Sequence, residues 1–443
     1  MATPLTFKHV LQVLNTTFSQ LPDYRTGQNS QYPLRDAALS AFSVFFTQSP
    51  SFLAYQRTMQ LKHGHNNAGS LFEVTAIPSD AQIRNLLDPL APSELRAPFW
   101  DFLGRLEEGG VLTEHGYSVS GLGEARWLCA LDGTQYYHST QIHCPNCTVS
   151  MREGVAHYAH SVLIPALVRP GRAEVLVLEP EFMVPQDGAE KQDCERNAAR
   201  RWIERNAGAL AGHHTTILAD DLHCNQPFCE LLRSQHLDFI LVCKPDSHPT
   251  LYAEVERLAQ VPEGMGQVED RVWTGQVHER WAYRYVQHVP LTAQPQPCWV
   301  DWCDLTITCE ETGHVRFHNA WVTNLSLTDR SVRPMAAAGR ARWKIENENN
   351  NVLKHQGYHL EHNFGHGKQY LSTLLVTLTP GVLAFLTHTI LQLCDHAYQQ
   401  VRLRLATRKT FFDDLRALTR YLFFAHWDAL LEFMLIQLEP APD

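Results

Sequence analysis

The sequence predicts an α/β protein, a mixed sheet with flanking helices, led by a helical segment and interrupted by a β-rich one. Two observations carry the prediction. From Arg126 onward, apolar runs and amphipathic segments alternate in the order three strands, helix, strand, helix, strand. Acids stand at the tips of the first and fourth of these strands, at Asp132 and Asp220.

Residues 1–115 read as helical. Asp36 to Phe46 is strongly apolar, Ser49-Pro50-Ser51 restarts a helix, and Pro78-Ser79-Asp80 caps another through Ile83, Leu86 and Leu87. Between them, Lys62-His63-Gly64-His65-Asn66-Asn67 reads as a polar loop.

Trp127 to Leu131 is a short apolar run ending at Asp132-Gly133-Thr134, the form of a buried strand with an acid at its tip. His157 to Val168 and Ala173 to Val177 are two more strands, joined at Pro170-Gly171. Lys191 to Leu210 is an amphipathic helix with Cys194, Ala198, Trp202 and Ile203 on one side. Thr215 to Ala219 is the fourth strand and ends in Asp220-Asp221. A helix near Pro227 to Leu237 precedes the fifth strand, Phe239 to Cys243, which stops at Lys244-Pro245. This is the order of a ribonuclease-H-like sheet, in which strands one and four lie side by side.

From about 250 to 325 the chain is rich in alternating and aromatic residues, such as Val272-Trp273, Trp281 to Val286, Cys298 to Trp302 and Val315 to Val322. It reads as a β-rich insertion before the helix of Gly339 to Lys354. Leu371 to Cys394 contains Pro380, several threonines, His388 and Gln392, and reads as a buried helix pair rather than a membrane span. Arg402, Arg404, Arg408, Lys409, Arg416 and Arg420, interleaved with Leu and Phe, form a basic amphipathic tail. The expected layout is a helical unit at 1–115, a catalytic unit at 116–248 and 326–398, the insertion at 249–325 and the basic helical tail at 399–443.

With 443 residues and 44% hydrophobic composition, the chain can fill two or three cores. A formal net charge of −10 excludes a generally basic, nucleic-acid-coating protein; any such contact must use local patches. The start, Met-Ala-Thr-Pro-Leu-Thr-Phe-Lys-His-Val, lacks a basic region followed by an apolar run, and eleven scattered cysteines fit a reducing cytoplasm better than a disulfide framework.

Helical spacing puts Arg342, Glu346, Asn350 and Lys354 on one broad face, an acid flanked by two cations, which suits phosphate and metal. An Arg342/Glu346 surface pair is the plainer alternative. The asparagines at 349–351 are poor helix formers, so local stability explains them poorly. Three acids from two neighbouring strands and one helix, Asp132, Asp220 and Glu346, can converge on a pair of Mg²⁺ ions about 3.5 to 4 Å apart, the arrangement for in-line attack on phosphodiesters.

A second constellation is His143-Cys144-Pro145-Asn146-Cys147 with His157 and His160 downstream. Cys144 and Cys147 with two histidines offer four ligands for zinc, and two reduced, packed thiols answer the same pattern. Cys194, Cys224 and Cys229 are further candidates. The glycine loop Leu360 to Lys368, with His362 and His366, can line a groove or simply end a helix.

Four blocks resemble the DDE transposases of insertion sequences, in the broad family-four group: Leu131-Asp132-Gly133-Thr134, Leu218-Ala219-Asp220-Asp221, Asn319-Ala320-Trp321-Val322-Thr323-Asn324, and Arg342-Trp343-Lys344-Ile345-Glu346. They span roughly 126 to 370. The resemblance implies a ribonuclease-H-like catalytic domain with Asp132, Asp220 and Glu346 as the Mg²⁺-binding catalytic triad, Mn²⁺ serving as substitute. It implies Arg342, Lys354 and, within the same block, Lys344 as contacts to DNA phosphate. Asp220 is preferred to Asp221 because the family acid directly follows the apolar strand. The chain departs from the family pattern at Gly339, where a tyrosine is usual, and at Lys354, which lies one residue later than the family lysine. The implied protein cuts double-stranded DNA at its element's ends and joins the 3′ ends to target DNA. It would act as a homodimer on DNA in the cytoplasm, away from membranes, with the helical 1–115 unit binding DNA ends or serving only as packing. The alternatives are a non-transposing nuclease with the same site and a non-catalytic, zinc-stabilised DNA-binding protein.

Overall fold

The computed structural model describes residues 5–26, 31–59, 62–185, 193–363, 365–378 and 382–439. Its first part is helical: α1 Phe7–Ser19, α2 Leu34–Phe46, α3 Phe52–Met59, α4 Lys62–Phe72, α5 Asp80–Leu87, α6 Ala97–Glu108 and α7 Val111–Glu114. The expected cap is present at α5, where Ser79 Oγ accepts from Gln82 N as part of a capping box. The expected polar loop at 62–67 is instead the start of α4. Glycine and asparagine disfavour a helix there, but tertiary contacts override propensity: the buried Asn67 amide donates to Thr419 O and Leu422 O and accepts from Phe424 N.

The strands follow in sequence: β1 Leu128–Ala130, β2 Gly133–Ser139, β3 Thr148–Arg152, β4 Val155–Leu163, β5 Ala166–Val168, β6 Leu176–Val177 and β7 Glu181–Met183. Helix α8, Glu195–Ala211, leads to β8 Thr216–Ala219, α9 Gln226–Ser234 and β9 Asp238–Val242. Lys191, where the sequence starts that helix, lies outside the described residues; Cys194, expected on its apolar side, caps it and is exposed. Helix α10, Pro249–Ala259, is followed by the long strands β10 Gly266–Trp273, β11 His278–Pro290, β12 Trp299–Cys309 and β13 Val315–Thr323.

Among the described residues, the strands form a large mixed sheet in the order β10-β11-β12-β13-β9-β8-β1-β5-β6, and a smaller one in the order β2-β4-β3 with β7 on β4. β1 and β8 run parallel, as do β8 and β9, whereas β5 is antiparallel to β1. The tips of β1 and β8, with Asp132 and Asp220, are thus adjacent. The β-rich segment does not stand apart: β13 pairs antiparallel with β9 and extends the same sheet. Asn324 secures that junction, accepting from Phe239 N at 2.9 Å and donating to Asp238 at 2.7 Å.

The hairpin after β1 bends out of the large sheet at Asp132. Beyond that residue β2 pairs with β4 in the second sheet, and before it β1 pairs with β5 in the first. What reads in the sequence as one strand from His157 to Val168 is therefore two, β4 and β5, broken at Ile164-Pro165 where proline cannot donate to a ladder.

The remaining helices are α11 Val332–Ala341, a π-helical turn at Ile345–Asn350, α12 Asn351–His355, α13 Leu371–Leu378, α14 Leu383–Cys394, α15 His396–Arg404, α16 Arg408–Tyr421 and α17 Trp427–Gln437. The Leu371–Cys394 stretch is long and apolar enough to cross a membrane, but its described residues are buried in the protein; Pro380 lies outside them. The expected basic tail packs against the N-terminal helices. Phe46 of α2 meets Phe7, Phe412 and Trp427, and the His388 ring lies tilted against it with centroids 4.7 Å apart. Arg416 donates to the carbonyls of Thr47 and Gln48, and Arg408 to the Tyr358 hydroxyl, so these two guanidinium groups hold the fold together rather than face solvent.

Candidate functional site

Asp132 stands at the bend between the two sheets, partly covered. Arg342, only 8% exposed, lies 4.0 Å from its carboxylate and pairs with Glu346 at 2.7 Å. Asn350 donates to Asp132 Oδ2 at 2.6 Å. Arg342, Glu346 and Asn350 all come from the helical run around the π-turn, whose wide turn falls on the asparagine-rich stretch. Such turns recur at functional sites because they re-aim side chains without ending the helix.

A fourth acid, not recognised in the sequence, joins this cluster. Glu195, in the first turn of α8, accepts from Gly133 N at 3.2 Å and meets His223 Nε2 at 3.1 Å. A side chain at position 133 would collide with the Glu195 carboxylate, so the glycine after Asp132 makes room for it. Helix α8 is fixed by arginines: Arg201 bridges Glu181 and Asp193, each at 2.8 Å, and Arg205 bridges Glu179 at 2.9 Å and Glu181 at 2.7 Å.

Burial, then the negative charges of Glu346 and Glu195, push the Asp132 carboxyl up to about 7; Arg342 opposes the shift and Asp220 adds to it. Three other carboxylates thus act on Asp132. Asp221 points elsewhere: it accepts from Lys244 N at 2.8 Å and Ser247 Oγ at 2.6 Å, and His248 lies 3.4 Å from it. Asp220, whose own contact is to Leu222 N, is the acid of this pair that faces Asp132 electrically. Beside it opens a cleft of about 680 Å³, lined in part by Arg196, Asp220, Lys244 and Gln226.

Of the cations expected to meet phosphate, Arg342 is turned into the acid cluster, Lys354 pairs with Glu361 at 3.0 Å, and Lys344 is half-buried. The neighbouring Trp343 is 62% exposed. Gly339, the departure from the family pattern, lies against the indole of Trp321, where an added Cβ would come within 2.6 Å of Nε1. Close packing of α11 on β13 therefore excludes a tyrosine at that position.

Among the described residues, two Cys/His groups bring all their ligand atoms within 4.8 Å of one another: Cys144, Cys147, His160 and His366, and Cys224, Cys243 and His248. Both are compatible with a structural metal. His157, expected alongside the cysteines, points away and bonds His138 at 2.8 Å, because neighbouring residues along a strand face opposite sides and only every second one shares a face. Cys229 lies beside Cys298 rather than in either group.

Comparison of the chain with protein-family models and with curated proteins gives no match. The site is therefore interpreted from its own geometry.

Proposed function

We propose that this protein is a DDE-type DNA transposase with a ribonuclease-H-like catalytic core, which cuts DNA at the ends of a mobile element and transfers the 3′ ends to target DNA. The observation that supports the reading is that Asp132 and Asp220 stand at the tips of two parallel neighbouring strands, and that burial together with the charges of Glu346, Glu195 and Asp220 raises Asp132. The strand order β6-β5-β1-β8-β9, antiparallel then parallel, supports the ribonuclease-H-like core.

The donor set fits Mg²⁺, which is hard and takes oxygen ligands, with Mn²⁺ as its substitute. Two ions held by Asp132, Asp220 and Glu346 would supply an activated nucleophile and stabilisation of the leaving oxygen. Glu195 would add a further oxygen ligand. Arg342 would hold Glu346 in position, and Asn350 would orient Asp132. Lys344 would meet phosphate by charge once DNA enters, Lys354 would do so only by leaving Glu361, and a homodimer would hold two element ends.

Cleavage of a labelled element end in Mg²⁺ tests the reading. Substituting Asp132, Asp220 or Glu346 by Ala is expected to abolish cleavage and spare end binding; retained cleavage in any of the three contradicts it. A pre-cut 3′ end tests the transfer step, since a nuclease without strand transfer yields no joined product.

A further inference from the structure

Three contacts converge on one atom. Cys144 Sγ, Cys147 Sγ and His366 Nδ1 each lie 3.3 Å from His160 Nε2. A ring nitrogen carries either one proton or one lone pair, so it can make one of these hydrogen bonds and not three. The two sulfurs are 3.9 Å apart, well beyond the bond of a disulfide and close to the separation of two thiolates on one metal ion. Hydrogen bonding does not account for this packing. A central cation does.

We propose that Cys144, Cys147, His160 and His366 bind a structural zinc ion that clamps the loop after the Glu346 helix onto the small sheet that begins next to Asp132. Tetrahedral zinc with Zn–S of about 2.3 Å and Zn–N of about 2.05 Å sets sulfur–sulfur separations near 3.8 Å, sulfur–nitrogen near 3.6 Å and nitrogen–nitrogen near 3.3 Å. The observed separations match these within a few tenths of an ångström. Two thiolates and two imidazoles are soft ligands that select zinc over Mg²⁺, and the bound site is electrically neutral once both thiols have released their protons to solvent. His160 and Cys147 are 1% and 3% exposed, so the pocket is shielded on the sheet side.

The ligands come from separate parts of the chain. Cys144 and Cys147 form the knuckle between β2 and β3, His160 stands on β4, and His366 arrives from a glycine loop 206 residues later. Gly365 and Gly367, at φ of 127° and 65°, let that loop bring His366 in. Around the site, Asn146 donates to Gln369 O, and the His366 ring packs edge-on against Tyr137 at 4.2 Å. On its other side the loop is held by Asp88, which accepts from Lys368 N, Gln369 N and Leu371 N. The metal thus closes a brace between the strand leaving Asp132 and the chain leaving Glu346.

The proposal is independent of the transposase reading, because it is tested without DNA. Protein purified without chelator is expected to carry at least one zinc ion per chain by elemental analysis, and Co²⁺ exchanged into it to show thiolate charge-transfer absorption. Cys144→Ser and His366→Ala are each expected to lose one metal equivalent relative to wild type, and His157→Ala, outside the set, to keep it. Chelation of the wild-type protein is expected to speed hydrogen exchange of the 365–371 segment. Folded wild-type protein with no zinc and no Co²⁺ band overturns the proposal, as does unchanged metal binding by His366→Ala. If the serine variant does not fold, the metal content and Co²⁺ spectrum of His366→Ala against wild type still decide. A zinc-loaded chain without cleavage activity would sink the transposase reading and leave this one standing.

Discussion

Asn350 donates a 2.6 Å hydrogen bond to Asp132 from a position 218 residues away in sequence. The bond spans the join between the helix that carries Glu346 and the strand tip that carries Asp132, so it fixes the spacing of two proposed metal ligands. Groups that orient a ligand in this way typically contribute about 10- to 100-fold to metal affinity. Asn350→Ala is expected to raise the half-activating Mg²⁺ concentration by about that factor while DNA-end binding is unchanged. An Mg²⁺ dependence equal to wild type would show that the contact plays no part.

Gly133 leaves space that the Glu195 carboxylate fills. Gly133→Ala must displace Glu195 or the strand behind Asp132, and a misplacement near 1 Å can cost about 100-fold in rate. Cleavage is expected to drop by about that factor with folding retained, as read by circular dichroism. Full activity would mean that Glu195 lies outside the working site.

The proton balance of Asp132 gives a pH signature. Burial and the facing acids raise its folded-state pKa to about 7 from 3.8. Between these values the folded chain keeps a proton that the unfolded chain releases. The stabilisation from this group is full below the lower value and is lost as pH rises through the upper. Metal-free protein is expected to lose Tm from about pH 4 to about pH 7, and Asp132→Asn to flatten that slope. Added Mg²⁺ is expected to restore stability at the alkaline end, since it offsets the charge that burial penalises. Identical pH profiles for wild type and Asp132→Asn would refute the assignment.

Phe46 joins the first and last parts of the chain through contacts with Phe7, Phe412 and Trp427. Removing a buried phenyl ring from such a core costs about 3–5 kcal/mol. Phe46→Ala is expected to lower unfolding free energy by about that amount, measured by urea titration, in one cooperative transition. Two separate transitions would mean that the terminal helices do not share a core with the rest.

Much of the sheet was legible because its strands are short apolar runs closed by acids, and period and punctuation mark these locally. The pairing of β1 with β8 followed from the strand order. The bend at Asp132, however, divides one apolar run between two sheets, and nothing local in His157 to Val168 except Pro165 announces it. Glu195 read as an ordinary first-turn acid, since its partner Gly133 lies 62 residues upstream. Asn350 stood out as a weak helix former, yet only the fold shows what it touches. His366 was visible as a loop histidine, but its link to the cysteine knuckle is a matter of three-dimensional closure. The helix at Lys62–Phe72 was hidden because its stability comes from α16, far along the chain.

The central claim is that the carboxylates of Asp132, Asp220 and Glu346 together grip divalent ions. Mn²⁺ titration of the protein bound to an element-end duplex, followed by electron paramagnetic resonance, tests it most directly. Two bound Mn²⁺ ions per active site are expected in the wild type, with the pair lost in Glu346→Gln and retained in Asp221→Asn. Equal Mn²⁺ occupancy in wild type and Glu346→Gln would contradict the claim.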